Sequence, residues 1–283
     1  MKIDPTKDLG FTIAESVLEF INPDTQILYH YTSIEALFGG IIVKNKPQPN
    51  KEICLWATNC LYMNDPEELN TGMQFAHEIL ELPPNELVQA TKEQIRDSTY
   101  LILISFSSAI DCLPMWGMYG KNGHGLALGF DTSVLRKTYN LYKCIYTTEA
   151  TKEWIENEIL KRNGPQKWWK QSNVENILSD IIGSSENMLL LYLMLWLFGK
   201  NPAYEYEKEI RWLFPGNNDI KYRLRNNLIV SYIEQYIPKS ALKEIWIGPT
   251  NDMERATRSL RAYLDHMGFN DVEIKQSKVP YRD

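Results

Sequence analysis

Hydrophobic residues recur along the chain with two different periods, and these periods predict where strands and helices lie. Short apolar runs predict strands at residues 27–31, 53–58, 100–107, 124–131, 141–146, 204–214, around 228, 242–247 and 272–275. Spacings near 3.6 predict helices at residues 11–21, 66–80, 84–97 and 251–267, and through most of 149–200. Because strands and helices do not alternate regularly, the pattern favours an α+β fold over a doubly wound sheet.

No linker or internal repeat divides the sequence, and we predict a single α+β domain over residues 1–283. The helical stretch 149–200 separates two groups of strands and is interpreted as an insertion. Its longest apolar run, 188–198, is shorter than the roughly 20 residues that cross a bilayer. We therefore predict a buried core helix there and no membrane partner. The aromatic content of the insertion suits stacking or contact with a protein partner.

Composition narrows the class of function only slightly. The formal net charge is −6, which argues against binding nucleic acid through a general cationic coat. The four cysteines lack the spacing of a zinc or redox site and are interpreted as buried thiols of a reducing cytoplasm. The first residues, MKIDPTKDLG, lack the apolar segment of a secretory signal, so we expect a cytoplasmic protein.

Three polar segments predict local turns and helix caps. The glycines of GKNGHG do not have the spacing of a dinucleotide fingerprint or a phosphate loop, and we interpret them as a turn. The run Thr32-Ser33-Ile34-Glu35 has the capping-box pattern. In LYMNDPEEL, Asp65 can cap a helix whose first residue is Pro66.

The segment YEYEKEIRW, residues 204–212, alternates charged and other side chains. On a strand, alternate residues share one face, so we predict that Glu205, Glu207, Glu209 and Arg211 line a single face. Three neighbouring carboxylates repel one another, and at least one pKa should rise unless a cation or a hydrogen-bonding ligand balances them. Taken alone, this segment favours a structural explanation, in which a solvated strand face carries an Arg that holds a cross-strand Glu.

Other polar and aromatic residues gather at predicted strand ends. The pairs are His30 and Tyr31, Ser105 and Ser107, Trp116 and Tyr119, and Glu207 and Glu209. Each pair has a structural explanation as a core, cap or turn residue. Taken together, they suggest one polar site assembled from several strands.

Six segments carry a resemblance to a known family. They are HYTSIEAL, LYMNDPEEL, ISFSS, MWGMYGKNGHGLALGFD, YEKEIRWLF and LKEIWIGP. Their order, over roughly residues 27 to 282, resembles a large bacterial family catalogued as a domain of unknown function. That family in turn resembles divergent ADP-ribosyltransferases, which split NAD at the nicotinamide bond. The resemblance implies a mixed, mostly antiparallel split sheet with flanking helices.

The resemblance also implies roles for individual residues. Three are catalytic by this comparison, namely Glu209, Glu207 and His30. The implied NAD-binding residues are Tyr31, Thr32, Asn64, Asp65, Ser105, Ser107, Trp116, Tyr119 and Arg211. In this interpretation Glu209 binds the ribose 2′-hydroxyl, and Trp116 or Tyr119 stacks on nicotinamide. Arg211 neutralises the pyrophosphate or anchors Glu209.

We therefore expect an NAD-dependent ADP-ribosyltransferase-like enzyme, a bacterial toxin or antiphage effector that modifies nucleic acid or protein, with no metal. The helical insertion is expected to select the acceptor. Two alternatives stay open. One is a non-catalytic nucleotide-binding or interaction module, and the other is a defence-associated nuclease or hydrolase. A metal nuclease commonly has Glu-x-Lys where this chain has Glu209-Ile210-Arg211, and arginine does not act as a base because it keeps its proton.

Overall fold

The computed structural model describes residues 21–42, 52–80, 101–137, 139–160, 186–215, 219–225, 227–250 and 252–281. The predicted helix at 84–97, nearly all of the one at 11–21, and residues 161–185 of the predicted insertion lie outside this part of the chain. The described residues form helices and a mixed, mostly antiparallel sheet, so the α+β prediction is confirmed.

Two compact units make up the chain. The larger contains residues 23–62, 100–141 and 206–283, and the smaller contains residues 1–22, 63–99 and 142–205. The predicted single domain with an insertion at 149–200 stays a prediction, because a division into compact units does not identify an inserted segment.

The larger unit is built on a long sheet. Its strands are β1 (Ile27–Thr32), β2 (Ile53–Asn59), β3 (Leu101–Ser107), β4 (Leu126–Asp131), β8 (Glu209–Pro215), β9 (Lys221–Arg225), β10 (Leu228–Ile237), β11 (Leu242–Ile247) and β12 (Glu273–Gln276). The strand order is β12-β11-β4-β1-β3-β2-β10-β9, with β8 paired to β3 as well. The β11–β12 pair is parallel, and the other pairings along this order are antiparallel. Its helices are α1 (Ile34–Ala36, continued by a π turn at Leu37–Ile41), α3 (Leu113–Met118), α4 (Thr132–Arg136) and α7 (Met253–His266).

Strand β3 is where the sheet divides. Along one edge it pairs with β8 over its whole length, from Leu101 opposite Pro215 to Ser107 opposite Glu209. On the other edge it pairs with β2 only at Ile102 and Leu103, and with β1 only at Ser107. Within the described residues, positions 104–106 therefore have no ladder partner on that edge. Strands β1 and β2 separate here, and the sheet is split.

One face of this sheet carries the main hydrophobic core. Alternate residues of β1, β2, β3, β4, β8, β10 and β11 point into it, and they include Leu28, Leu55, Ala57, Ile104, Phe106, Phe130, Ile210, Trp212, Ile233 and Ile245. Helix α7 packs Leu260 and Leu264 against this core. Its first turn is capped by Asp252, whose carboxylate accepts a hydrogen bond from the backbone N–H of Arg255 at 3.0 Å, as expected for an N-cap aspartate.

The smaller unit is mainly helical where it is described. Its elements are α2 (Asn70–Ile79), β6 (Ile145–Tyr146), α5 (Glu149–Trp154, continued by a π turn at Ile155–Leu160), α6 (Glu186–Phe198) and β7 (Gly199–Lys200), and β5 (Leu141–Lys143) begins at the boundary between the units. Gly72 allows α2 to approach α6 closely, because a Cβ there would lie 2.4 Å from the carbonyl oxygen of Leu195. Leu191, Leu195 and Phe198 of α6 are buried, which agrees with the predicted buried helix.

Two predicted element boundaries are wrong for local reasons. The strand predicted from residue 204 begins only at Glu209, because Pro202–Glu207 forms a 3₁₀ turn. The side chain of Asn201 accepts a hydrogen bond from the backbone N–H of Ala203 and stabilises the start of that turn. Lys208 then has φ 42°, a left-handed conformation that interrupts the alternation of faces.

The helix predicted at 66–80 begins instead at Asn70. Asp65 forms a tight turn, since its side chain accepts from the backbone N–H of Glu67 at 2.9 Å, and Leu69 has φ 69°. At the end of β1, the N-cap is Ser33, which accepts from the N–H of Ala36. Thr32, the first residue of the predicted capping box, still belongs to the strand.

Candidate active site

The split in the sheet brings together three residues that are far apart in the sequence. The imidazole Nδ1 of His30, on β1, lies 3.1 Å from the carbonyl oxygen of Ser105 on β3. The hydroxyl of Ser105 donates to Oε1 of Glu209, on β8, at 2.5 Å. His30 and Glu209, the first and last residues of the expected catalytic group, therefore converge on Ser105 at the point where β1 and β2 separate.

The hydrogen bond of His30 determines which form of the ring is present. A carbonyl oxygen can only accept, so Nδ1 must carry the proton. Burial disfavours the charged imidazolium and lowers the pKa of His30, and the nearby charge of Arg223 lowers it further. A neutral ring protonated at Nδ1 leaves Nε2 as a hydrogen-bond acceptor. His30 is thus prepared to accept a hydrogen bond from a hydroxyl group in the split.

Glu209 is a buried carboxylate held on two sides. It is 3% exposed and its Oε2 lies 3.1 Å from a terminal nitrogen of Arg211, which is fully buried. The register places Arg211 opposite Ser105 on the neighbouring strand, so all three side chains lie on the same face of the sheet. Arg211 is the cation that balances this carboxylate. The hydrogen bond and the ion pair together fix the orientation of the Glu209 carboxylate.

Glu207 lies in a different environment, contrary to the prediction of one shared strand face. It belongs to the 3₁₀ turn and is buried, and its Oε1 accepts a hydrogen bond from the Tyr119 hydroxyl at 2.6 Å. Its backbone carbonyl accepts from the hydroxyl of Ser107. Glu205, in the same turn, is exposed. The three carboxylates therefore do not form one charged row. Glu207 and Glu209 are buried with different partners, and Glu205 is exposed.

Trp116 and Tyr119, the two aromatic residues expected to stack on a ligand, differ in exposure to solvent. Trp116 is fully buried, its Nε1–H donates to Asp111 at 2.9 Å, and its ring packs edge-on against Tyr31 at 4.9 Å. Burial raises the pKa of Tyr31, whose hydroxyl donates to the carbonyl of Ala109. Trp116 and Tyr31 are therefore buried packing residues of the candidate site. Tyr119 is partly exposed and is the better candidate for contact with a ligand ring.

Three further predicted site residues lie at the end of β1 and in the smaller unit. Thr32 ends β1, opposite Leu126 of β4. Asn64 and Asp65 belong to the smaller unit, where Asp65 caps the turn before α2.

One group beside the split was not predicted. On the same face of the sheet, Arg223 of β9 donates to the hydroxyl of Thr58 on β2 at 2.8 Å and lies over the rings of Trp56 and Tyr232. The hydrophobic pattern missed β9 altogether. The available signal was the Asn226-Asn227 dipeptide between two short β-prone runs, which is typical of a hairpin turn.

Metal-binding clusters and membrane-spanning helices are absent from the described residues. This part of the chain holds no group of three or more His, Cys, Asp or Glu side chains placed to bind a metal ion. No helix in it is both long and apolar enough to cross a membrane. The four cysteines are thiols, three of them buried.

Comparison with known protein families gives a match over part of the chain. Residues 115–212 match the model of an uncharacterised domain family, described as a protein of unknown function (DUF2971). The matched segment begins in α3 and ends in β8, so it contains Tyr119, Glu207, Glu209 and Arg211. No curated protein and no solved structure matches the chain.

Proposed function

We propose that this protein is an NAD-dependent ADP-ribosyltransferase-like enzyme whose active site is the split beside β3. The observation that supports the proposal most strongly is the chain of contacts from His30 through Ser105 to the buried Glu209. It joins a neutral hydrogen-bond acceptor and an ionised carboxylate within one opening of the sheet. A nucleoside ribose offers the hydroxyl groups and the developing positive charge that such a pair can bind.

The reaction is the transfer of ADP-ribose from NAD to a nucleophile. The bond between the ribose anomeric carbon and the nicotinamide nitrogen breaks, and its electron pair remains on nicotinamide, which leaves as a neutral ring. The positive charge moves to the ribose, as an oxocarbenium-like transition state. A hydroxyl, amine or water then bonds to the anomeric carbon and loses its proton to solvent or to a base.

Glu209 would act in this scheme by electrostatic stabilisation. A fixed carboxylate stabilises an oxocarbenium-like ribose more than the ground-state ribose, so it lowers the barrier. Its hydrogen bond from Ser105 and its ion pair with Arg211 hold it in place before the substrate binds, which avoids reorganisation during the reaction. His30 would accept a hydrogen bond from a ribose hydroxyl through Nε2.

Tyr119 and Glu207 would form the nicotinamide side of the site. Their 2.6 Å hydrogen bond orients the partly exposed phenol ring, which offers a flat surface to the departing pyridine ring. Trp116 supports this wall from within the core and contacts no ligand in the proposal.

The test is release of nicotinamide from NAD by the purified chain. Replacing Glu209 with Gln should lower turnover by about 100-fold or more, the scale on which preorganised electrostatic groups act. Glu205→Gln is a matched control, because it makes the same change four residues away on an exposed side chain. The control should retain the turnover of the unmodified chain. Equal turnover in Glu209→Gln would remove Glu209 from the proposed mechanism.

Loss of turnover must be separated from loss of folding. The neutral amide in Glu209→Gln leaves the charge of buried Arg211 uncompensated, so the double variant Glu209→Gln/Arg211→Met should be measured as well. It removes both buried charges, a change that is often neutral or stabilising. A folded double variant that releases nicotinamide at the unmodified rate would contradict the proposal.

A second candidate function is nucleotide binding without chemistry. It is favoured by one observation, that both oxygens of Glu209 are already engaged and the carboxylate is almost fully buried. Binding of NAD with no nicotinamide release over hours would select this alternative. If nicotinamide is released, NAD labelled in its adenylate half identifies whether the acceptor is nucleic acid, protein or water.

A further inference from the structure

Arg223 is held in a fixed position beside the split. Its guanidinium carbon lies 4.9 Å from the centre of the Trp56 ring and 5.5 Å from that of Tyr232, within the range of cation–π attraction. One terminal nitrogen donates to the hydroxyl of Thr58 at 2.8 Å. These three contacts come from β10, which pairs with β9, and from β2 on the far side of β10, so the guanidinium is oriented by the sheet itself.

No described residue neutralises this cation. The ion pairs of the described residues give Arg223 no carboxylate, although Lys221 on the same strand pairs with Glu234 at 2.8 Å. The Nε–H of Arg223 is buried and has no hydrogen-bond partner among the described residues. A partly buried arginine without a counter-ion carries an unfavourable desolvation cost. Burial, and then the neighbouring charge of Arg225, accordingly lower the pKa of Arg223.

The register places Arg223 on the same face of the sheet as Ser105, Glu209 and Arg211. Thr58 lies opposite Leu103 of β3, and Ser105 is two residues further along the same face, about 7 Å away at the usual rise of a strand. His30 senses the charge of Arg223, which contributes to lowering its pKa. Arg223 and Glu209 therefore lie on one face of the sheet, on opposite sides of β3.

Arg211, the other arginine of the site, already has a carboxylate partner. It is fully buried and bonded to Glu209, so of the two roles expected for it, anchoring the carboxylate fits its position and contact with a pyrophosphate does not. A dinucleotide in the split needs a different cation for its phosphates. Arg223 has the charge and the planar donor group that phosphate oxygens require.

We infer that Arg223 binds the diphosphate of the nucleotide in the split, with Thr58, Trp56 and Tyr232 holding its guanidinium in place. This inference rests on the proposed function, and it names the residue that recognises the charged half of the substrate. It assigns a binding role to the β9–β10 hairpin.

The experiment measures binding by calorimetry with two probes, ADP-ribose and adenosine. ADP-ribose contains the diphosphate but has no nicotinamide bond to break, and adenosine has no phosphate. Arg223→Gln should weaken ADP-ribose binding by about 10- to 100-fold, the size of a charge-assisted hydrogen-bond contribution. Its affinity for adenosine should match that of the unmodified chain. Arg223→Lys should give an intermediate loss for ADP-ribose, because it retains the charge without the planar fork.

Lys221→Gln is the matched control. It removes one positive charge two residues away on the same strand, from a side chain that is half exposed and already paired with Glu234. This variant should bind ADP-ribose within about twofold of the unmodified chain, since exposed charges contribute little. An equal loss in Lys221→Gln and Arg223→Gln would indicate a general field effect and overturn the assignment to Arg223.

Two other outcomes overturn the inference. One is unchanged ADP-ribose affinity in Arg223→Gln, and the other is a parallel loss of adenosine affinity, which would indicate altered structure instead of a lost phosphate contact. The proposed function can fail separately. A chain that binds ADP-ribose through Arg223 but never releases nicotinamide from NAD would contradict the enzyme proposal and support the phosphate-binding role.

Discussion

Two buried glutamates on the same sheet, Glu209 and Glu244, have similar surroundings and different positions. Glu209 is 3% exposed and pairs with Arg211, while Glu244 on β11 is 8% exposed and pairs with Lys275 at 2.6 Å. Both accept further hydrogen bonds from neighbouring side chains. Neither burial nor an ion pair distinguishes a candidate catalytic carboxylate from one that stabilises the fold.

The environment of Glu244 is closed. Its Oε1 accepts from the Tyr29 hydroxyl at 2.8 Å and from Trp246 Nε1 at 2.7 Å, and Lys275 occupies Oε2. Strand β11 is paired on both sides, by β4 and by β12. The donors come from β1, from β11 itself and from β12, and we interpret Glu244 as a structural group.

Glu209 differs because it faces the place where the ladder is interrupted. Its partner Ser105 lies at the unpaired positions of β3, and His30 reaches the carbonyl of the same residue. The backbone of β3 has no ladder partner here at residues 104–106, among the described residues, on the edge between β1 and β2. The break in sheet pairing, more than the chemistry of a single carboxylate, thus distinguishes the candidate site.

The largest expected effect is a loss of unfolding free energy when Glu209 is removed, because its partner Arg211 is fully buried. Glu209→Ala leaves a fully buried guanidinium without its carboxylate, and breaking a buried pair in this way costs about 3–5 kcal/mol of unfolding free energy. Urea denaturation monitored by tryptophan fluorescence measures the loss. Glu209→Ala/Arg211→Met should recover most of it. A loss that persists undiminished in the double variant would show that the effect does not come from Arg211.

The second prediction concerns Glu244 and should give stability loss without loss of function. Glu244→Gln weakens the bonds to Lys275, Trp246 and Tyr29, and bonds to charged groups are worth about 1.5–3 kcal/mol. Lys275 is 32% exposed, so it can return to water and the cost should lie near the lower end. Nicotinamide release should be unchanged at a temperature where the variant is folded. A 100-fold fall in turnover would break the distinction drawn between the two glutamates.

A smaller effect is expected for Tyr29→Phe. This change removes one of the donors to Glu244 but leaves Trp246 and Lys275, so we expect a loss of about 1 kcal/mol, typical of one hydrogen bond. In the double variant Tyr29→Phe/Glu244→Gln, the two losses should be less than additive, because the residues share that bond. Strict additivity in the urea midpoints would mean that the hydroxyl acts independently of Glu244.

Much of the sheet could be predicted from the sequence because its strands are apolar on at least one face. Strand β11 lies at the predicted residues, and β1, β2 and β3 differ from prediction by a single residue at an end. The segment 204–208 misled the same reasoning, since alternation of Glu and Tyr imitates a strand. The positive φ of Lys208 has no counterpart in hydrophobicity.

The candidate site was predictable in its residues but not in its geometry. His30, Ser105 and Glu209 were identified from motifs, yet the bond that joins them depends on strand register, which no local pattern specifies. Arg223 could not be found from burial preference, because β9 exposes its apolar residues. Tyr222 and Leu224 are 68% and 80% exposed, while the arginine between them is partly buried.

The smallest expected effect is a dependence of stability on pH that belongs to Glu244. Burial acts to raise the pKa of Glu244, but the hydrogen bonds from Lys275, Trp246 and Tyr29 outweigh it, so its pKa lies below 4.5 in the folded chain. The unfolded chain therefore takes up this proton first as the pH falls. The stabilisation is fully present above the unfolded pKa and is lost as the pH drops through the folded one.

At alkaline pH the dependence of stability on pH comes from Tyr29. Its pKa is raised above 10, mainly by burial and then by its bond to Glu244. That contribution is complete below the unfolded pKa and declines as the pH rises through the folded one.

Unfolding free energy measured against pH should fall less steeply below about 4.5 in Glu244→Gln than in the unmodified chain, since Gln does not titrate. Glu273→Gln, which removes the other, more exposed carboxylate paired with Lys275, should leave the acid limb nearly unchanged. An acid limb that is identical in all three chains would assign the acid sensitivity to carboxylates other than Glu244.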